Sequence, residues 1–154
     1  MTERPEVIDV TSIIRILPHK PPATLVDRVI EVEPGERILT GKNITISEPS
    51  IAGHFPGMPM LPSGVLIEIM VQSCCLLAYA TEQYNPANKI VTLIAINKAK
   101  FRRSLCPGDG IEVEANLIRK RSNVWRFKVN VYEDDHGVAD CELALSIHDR
   151  EDTL

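Results

Sequence analysis

The sequence predicts an α+β fold in which a curved antiparallel sheet of about six strands wraps around one long central helix. One observation is the apolar run 65–80, which has helical length and is apolar on nearly every side. A second is a series of four strand-like segments after that run, separated by short turns rich in glycine, asparagine and aspartate. With 154 residues, the chain is long enough for one sizeable core, so we expect residues 1–154 to form a single domain.

The segment before the central helix predicts a short helix and then a hairpin. Asp9 is a suitable N-cap for a helix over residues 10–17. Strand-like residues 25–32 and 37–46 flank Pro34-Gly35, a pair that fits the central positions of a type II turn. We therefore expect these two strands to pair directly.

The central helix and the strands after it complete the prediction. Pro62 fits the first turn of that helix, Ser63 can cap it, and residues 84–86 end it. The later strands are expected over 89–103, 110–120, 124–133 and 137–147, joined as an antiparallel meander. Residues from about 149 to 154 are expected to be a frayed tail. Such a sheet around one helix is a hot-dog architecture.

Composition and charge exclude several classes of protein. The chain is 44% hydrophobic and 25% charged with a net charge of -4, which argues against a general binder of nucleic acid or membrane surfaces. Residues 1–6 lack the basic and apolar regions of an export signal, so we expect a cytoplasmic protein. Its cysteines (Cys74, Cys75, Cys106 and Cys141) have no paired spacing and are expected to be reduced thiols. No ligand cluster or glycine-rich phosphate loop predicts a metal or organic cofactor.

Two titratable residues are candidates for acid/base catalysis. His54 lies in the proline- and glycine-rich run 53–59, and Glu68 follows inside the apolar helix. An imidazole titrates near neutrality, and a carboxyl group among apolar residues has its neutral form favoured by desolvation. Such a pair is suited to proton transfer in a dry pocket. Taken singly, a structural loop histidine and a solvent-facing glutamate are the alternative interpretations.

The remaining polar candidates receive smaller roles. Gln72, one turn after Glu68, can orient its carboxyl group or a water molecule. His19 is expected to be a structural hydrogen-bonding residue, while His136 and His148 are expected to be solvated. None of these three histidines is assigned to catalysis.

Several motifs in a fixed order point to a known family. They are Leu17-Pro18-His19 with 25–29, Glu48-Pro49 with 53–57, Glu68-x-Met70-x-Gln72, and 98–103 with Pro107-Gly108-Asp109. From about residue 10 to about residue 146, the chain resembles the Z-type 3-hydroxyacyl-[acyl-carrier-protein] dehydratases of bacterial fatty-acid synthesis.

The resemblance implies a hot-dog homodimer, in some members a hexamer of three dimers, in which one subunit supplies the histidine and its partner the glutamate. A heteromer with a related subunit is left open. His54 would remove the C2 proton of a 3-hydroxyacyl thioester, and Glu68 would donate a proton to the hydroxyl leaving C3. Backbone amides around Ser63 and Gly64 would stabilise negative charge on the thioester oxygen. The implied substrate tunnel includes Ile51, Phe55 and Phe101.

The implied partner is an acyl-carrier protein, which holds the substrate on a phosphopantetheine arm. We interpret the basic run Lys98, Lys100, Arg102 and Arg103 as its docking surface, because such a patch attracts an acidic carrier. Residues 119–121 form a second basic run. A solvated strand surface is the alternative for either run, and the scarcity of aromatic residues beside them argues against nucleic acid.

Departures from the family pattern concern the substrate. Ser63 stands where the family usually has glycine, and residues 20–23 and 50–51 replace segments that are aromatic in the family. We therefore hypothesise a pocket reshaped for an unusual acyl chain, such as a polyene or polyketide intermediate. Dehydration is the expected activity, and glutamate at position 68 favours it without isomerisation. An enoyl isomerase, a thioesterase and a catalytically silent carrier-binding subunit are the alternatives.

Overall fold

A computed structural model describes residues 8–153 of the chain. Two α-helices and six strands follow one another as α1 (Val10–Ile16), β1 (Arg28–Glu33), β2 (Arg37–Asn43), α2 (Ser63–Glu82), β3 (Lys89–Phe101), β4 (Gly110–Arg121), β5 (Val124–Glu133) and β6 (His136–Asp149). Short 3-10 turns occupy Pro86–Asn88 and Arg150–Thr153, so the backbone is regular over most of the predicted tail. Residues 1–6, on which the export-signal expectation rests, lie outside the described residues.

All six strands form one antiparallel sheet in the order β1-β2-β4-β5-β6-β3. The β1–β2 hairpin turns at Gly35, whose φ of +80° is the left-handed conformation that a type II turn requires. Asp9 caps α1 by accepting a hydrogen bond from the Ser12 amide at 2.9 Å. The predicted hot-dog fold of one long helix and a six-stranded sheet is therefore confirmed.

Helix α2 fills the concave side of the sheet because it is apolar around most of its circumference. Ile69, Met70 and Leu77 on the helix are buried together with Trp125 and Phe127 on β5. Among residues 8–153, α2 is also the one helix long and apolar enough to cross a membrane. Since the sheet covers it, the helix is a core helix, as the sequence predicted.

The two ends of α2 differ from prediction in detail. Pro62, with φ -59° and ψ 137°, is the N-cap, and Ser63 is already the first helical residue. Ser63 therefore does not cap the helix, because a capping residue needs an extended backbone. At the other end Gln83 adopts a left-handed φ of +49°, and its amide donates to the Tyr79 carbonyl at 2.7 Å.

All four cysteines are free thiols, as predicted. Cys74, Cys75 and Cys141 are buried in the core, whereas Cys106 is exposed before the turn at Pro107. Burial raises the pKa of the Cys141 thiol to about 11, so this group stays neutral and behaves as a small apolar side chain.

Candidate active site

His54 is held by the loop that leads from β2 into α2. Its amide donates to the Ile51 carbonyl at 3.0 Å, and its carbonyl accepts from the Met60 amide at 3.0 Å. The ring Nδ1 lies 3.2 Å from the Met60 carbonyl oxygen. A carbonyl only accepts hydrogen bonds, so Nδ1 carries the hydrogen and Nε2 keeps its lone pair. The loop therefore presents the imidazole in the tautomer that a base needs.

The depression that contains this imidazole, here called the His54 pocket, has a volume of about 310 Å³. It is lined by His54, Met60, Leu61, Ser63, Leu66, Phe101, Arg102, Arg103, Ser104 and Leu105. The first turn of α2 and the end of β3 are thus brought together beside the histidine. The Leu61 amide donates to the Leu105 carbonyl at 2.7 Å and ties these two segments to each other.

Glu68 lines a different depression, the Glu68 pocket, with a volume of about 360 Å³. This pocket is lined by Pro22, Ala23, Leu25, Glu48, Pro49, Ser50, Gly64, Val65 and Glu68. Because Ser63 borders the first pocket and Gly64 the second, the N-terminus of α2 lies between them. One chain by itself therefore keeps the two candidate catalytic groups in separate pockets.

The carboxyl group of Glu68 accepts two hydrogen bonds on its Oε1 atom. His19 Nε2 lies 2.9 Å from this oxygen, and Gln72 Nε2 lies 3.1 Å from it. The hydrogen bond from His19 holds the pKa of the Glu68 carboxyl below its usual range, because it outweighs the opposing effect of burial. The expectation that desolvation keeps this group neutral is therefore wrong for the single chain.

His19 is the contact that the sequence interpretation missed. The sequence predicts a structural hydrogen-bonding residue without a catalytic role, and the structure shows that its partner is Glu68. The residues are 49 positions apart (68 − 19), and no local periodicity links them. The available signal was the Leu-Pro-His motif itself, which placed His19 in the family pattern without saying what it contacts.

Gln72 is held in one orientation by the segment before β1. Its Oε1 accepts from the Leu25 amide at 2.8 Å, and its Nε2 donates to the Ala23 carbonyl at 2.8 Å. The side chain is fully buried, so its amide group cannot turn over without losing both bonds. The remaining hydrogen of Nε2 is directed at Glu68, which is the orienting contact that the helix spacing suggested.

Comparisons with known proteins show the family to which this chain belongs. The family model of the FabA-like domain matches residues 17–142. A 3-hydroxyacyl-[acyl-carrier-protein] dehydratase FabZ from Anaeromyxobacter sp. (strain Fw109-5) is 41% identical over 147 residues, covering 94% of this chain and 93% of the relative. The FabZ of Myxococcus xanthus (strain DK1622) is 36% identical over 144 residues, with 94% of each chain covered.

The chain belongs to the FabZ dehydratase family. The resemblance inferred from the ordered motifs is thus confirmed. Among solved structures, the dehydratase heterocomplex ApeI:P from Xenorhabdus doucetiae superposes with a TM-score of 0.79 at 16% identity, covering 90% of this chain and 92% of that one. At this identity the likeness supports the hot-dog fold alone.

The residues assigned to the substrate tunnel of a FabZ enzyme lie in different surroundings. Phe101 lines the His54 pocket, and Phe55 is 55% exposed beside the His54 ring, with the two ring centroids 4.5 Å apart. Ile51 is 2% exposed and packs in the hydrophobic core of its own chain. The neighbouring Ser50 borders the Glu68 pocket instead.

The predicted docking run is largely paired with acidic residues of its own chain. Arg102 bonds Asp140 at 2.5 Å, Arg103 pairs with both Asp109 and Glu133, and Lys98 lies 3.8 Å from Glu142. Lys100 has no acidic partner within 4 Å among the side chains of residues 8–151. The net positive charge of this surface is therefore smaller than its sequence indicates.

A second basic cluster lies at the hairpin between β4 and β5. Arg119 and Arg126 face each other across these strands, and with Arg121 they border one shallow depression. None of the three pairs with an acidic side chain within the described part of the chain. Lys120 points to the other face, where it pairs with Glu82 and lies over Trp125.

Proposed function

We propose that this chain catalyses the removal of water from a 3-hydroxyacyl thioester carried by acyl-carrier protein, giving the 2-enoyl thioester. The observation that carries the proposal is the separation of His54 and Glu68 into two pockets on either side of the α2 N-terminus. Two such half-sites are what a dimeric active site needs, since each chain then supplies one group to each of two shared sites. Membership in the FabZ family supports the same chemistry.

In the proposed reaction His54 is the base. Its Nε2 lone pair accepts the C2 proton, while the Nδ1 hydrogen stays bonded to the Met60 carbonyl and stabilises the imidazolium that forms. Negative charge then accumulates on the thioester oxygen. The amides of Ser63 and Gly64 are the first two of α2 and have no carbonyl partner within the helix, so they are suited to stabilise that charge.

Glu68 is proposed to donate the proton that the departing hydroxyl group takes. In the single chain its side chain is 41% exposed, and its hydrogen bonds favour the carboxylate. The partner subunit and the acyl chain would cover this carboxyl, and the added desolvation raises its pKa. The group thus becomes a competent acid when the assembled site closes over the substrate.

The proposed homodimer uses the edge of the sheet that β3 forms. Within the described residues β3 pairs with β6 on one side and with nothing on the other. It exposes apolar side chains, namely Leu93, Ile94, Ile96 and Phe101. A long apolar edge strand is prone to pair with another strand, and pairing with its own copy would bury these residues. Further assembly into a hexamer, or with a related subunit, stays a prediction.

The Glu68 pocket also supports the proposal of an unusual acyl chain. Its lining includes Pro22, Ala23 and Ser50, from the two segments that depart from the aromatic family pattern. Small side chains here leave room beside the reacting carbons for a stiff or branched chain, such as a conjugated polyene or polyketide intermediate.

Mass spectrometry of carrier-bound 3-hydroxyacyl chains tests the proposed reaction directly. Incubation with the enzyme should remove 18 mass units, about one water, because both proton-transfer groups are present in the shared site. Offering saturated and polyunsaturated chains together tests the pocket proposal, and we expect the unsaturated chain to react faster. A shifted double bond would indicate an isomerase, a free acid a thioesterase, and an unchanged mass a silent subunit.

No metal or organic cofactor is proposed for this reaction, since proton transfer needs only the two side chains. In the part of the chain that the structure describes, no three His, Cys, Asp or Glu side chains are grouped to hold a metal ion. Action in the cytoplasm, where fatty-acid synthesis supplies carrier-bound substrates, and the absence of nucleic-acid and membrane partners stay predictions.

The carrier protein is proposed to dock where Arg102 and Arg103 border the His54 pocket. Lys98 and Lys100 extend this surface along β3, and Lys100, whose cross-strand neighbour Asp140 is bonded to Arg102, is its cation without a salt bridge among the side chains of residues 8–151. The hairpin cluster of Arg119, Arg121 and Arg126 lies at the opposite end of the strands. If two β3 strands pair in antiparallel orientation, the start of one strand lies beside the end of the other. The hairpin cluster of one subunit then lies at the same end of the paired strands as the docking run of its partner.

Replacing Lys100 with glutamate should weaken carrier docking. We expect kcat/KM for the carrier-bound substrate to fall about fivefold at low salt, the equivalent of about 1 kcal/mol for a surface charge, and the loss to shrink as salt is added. Steady-state kinetics over a salt series measures this. Arg15→Glu on the exposed face of α1 is the matched charge control. An equal loss in both variants would attribute the effect to net charge and contradict a local docking surface.

A further inference from the structure

His19 lies in a turn that is fixed on both sides. Its carbonyl accepts from Thr24 Oγ1 at 3.0 Å, and the Ala23 amide donates to the Lys20 carbonyl at 2.7 Å. The Lys20 ammonium in turn donates to the Ile14 carbonyl at the end of α1 at 2.5 Å. The backbone that carries the His19 imidazole is therefore held in place by hydrogen bonds on both sides.

The hydrogen bonds on Glu68 are unequally divided between its two oxygens. Oε1 accepts from His19 and from Gln72, whereas Oε2 has no partner among residues 8–151. Two donors at one oxygen prevent rotation of the carboxyl group about its last bond. The free oxygen is thus kept available to a bound substrate.

The two ring nitrogens of His19 have different surroundings. Nδ1 is buried and has no hydrogen-bond partner in the described part of the chain. Nε2 lies 2.9 Å from Oε1 of Glu68. A carboxylate oxygen only accepts hydrogen bonds, so Nε2 carries the hydrogen that is donated to Glu68.

We propose that His19 is a positioning residue of the active site, which holds Oε1 of Glu68 so that Oε2 meets the hydroxyl group at C3 of the substrate. This inference rests on the proposed dehydration. It adds to the His54 and Glu68 pair a third side chain that does not touch the reacting atoms but determines how the acid faces them. Its effect on Glu68 is measurable even without turnover.

Other charged or titratable groups near this pair are accounted for by contacts of their own. Glu48, which borders the same pocket, is bonded to the Lys42 ammonium at 2.6 Å. Cys75, two turns after Glu68 on α2, is buried, and burial together with the charge of Glu68 raises the pKa of its thiol. Lys20 is directed away to α1. The proposed dimer adds the imidazole of His54 from the partner subunit.

Carbon-13 NMR of labelled glutamate measures the effect of His19 without requiring activity. The Glu68 signal is assigned by its loss in Glu68→Gln, and its titration is compared in the wild type, His19→Ala and His19→Gln. Because the His19 hydrogen bond lowers the pKa of Glu68, its removal in His19→Ala should move the titration midpoint to higher pH. The glutamine amide can still donate, so His19→Gln should titrate closer to the wild type. An identical midpoint in all three proteins would overturn the proposal.

Kinetics distinguishes positioning from a merely structural role. In His19→Ala we expect kcat to fall about 100-fold, the effect of misplacing a catalytic group by about 1 Å, with partial rescue in His19→Gln. The protonated acid persists to higher pH in His19→Ala, so the alkaline limb of kcat/KM should move up in pH. A loss that is uniform across pH and equal in both variants would overturn the proposal. Wild-type enzyme that releases no water would instead contradict the proposed function, and the NMR result would still stand.

Discussion

His54→Ala should lower kcat for dehydration by about 100- to 10,000-fold, the range expected for loss of a general base. The variant leaves the C2 proton without an acceptor, because the other groups that line the His54 pocket are two arginines, two serines and apolar residues. The measurement is the initial rate of enoyl product formation at saturating carrier-bound substrate. Since the ring is on a surface loop and makes one hydrogen bond, we expect the fold to persist, as circular dichroism and thermal melting can confirm.

A second histidine provides the matched control for this variant. His136 is exposed at the start of β6, with its Nδ1 2.8 Å from the Asp134 carbonyl oxygen, and it borders neither candidate pocket. His136→Ala should therefore keep wild-type activity. Unchanged turnover in His54→Ala would remove this residue as the base, whatever the control does.

Mixing two inactive variants should restore activity. Glu68→Gln, which keeps the shape of the side chain but cannot donate a carboxyl proton, should also lose about 100- to 10,000-fold in kcat. In a mixed dimer of His54→Ala and Glu68→Gln chains, one shared site carries both substitutions and the other carries neither. The purified mixed dimer should thus reach about half of the wild-type rate, since one of two sites is intact.

The mixed dimer is obtained by co-expression with two different tags and sequential affinity purification. Each homodimer of a single variant serves as the control, because both of its sites lack one catalytic group. If the site lay within one chain, every chain in the mixture would be defective and no activity would return. Restored activity therefore tests both the shared site and the proposed dimer, and its absence would contradict them.

The charge of Glu68 illustrates where sequence reasoning reached its limit. Counting apolar neighbours along the helix predicted a neutral carboxyl, because desolvation is the only influence that local sequence displays. The donor that decides the matter, His19, comes from a turn far away in the chain. Similarly, the sequence of the run Lys98–Arg103 indicates a free basic patch, whereas the structure places Asp140 of β6 and Glu133 of β5 beside its arginines.

By itself, the sequence determined the order of the helices and strands, the apolar helix at the centre, and the family, whose motifs contain His54 and Glu68. These features depend on hydrophobic periodicity, turn residues and motif spacing, all of which are local along the chain. Only the tertiary structure decided that the N-terminus of α2 divides these residues between two pockets and that His19 and Gln72 share one oxygen of Glu68. Such contacts depend on how segments far apart in the chain pack together, and local sequence patterns do not specify that packing.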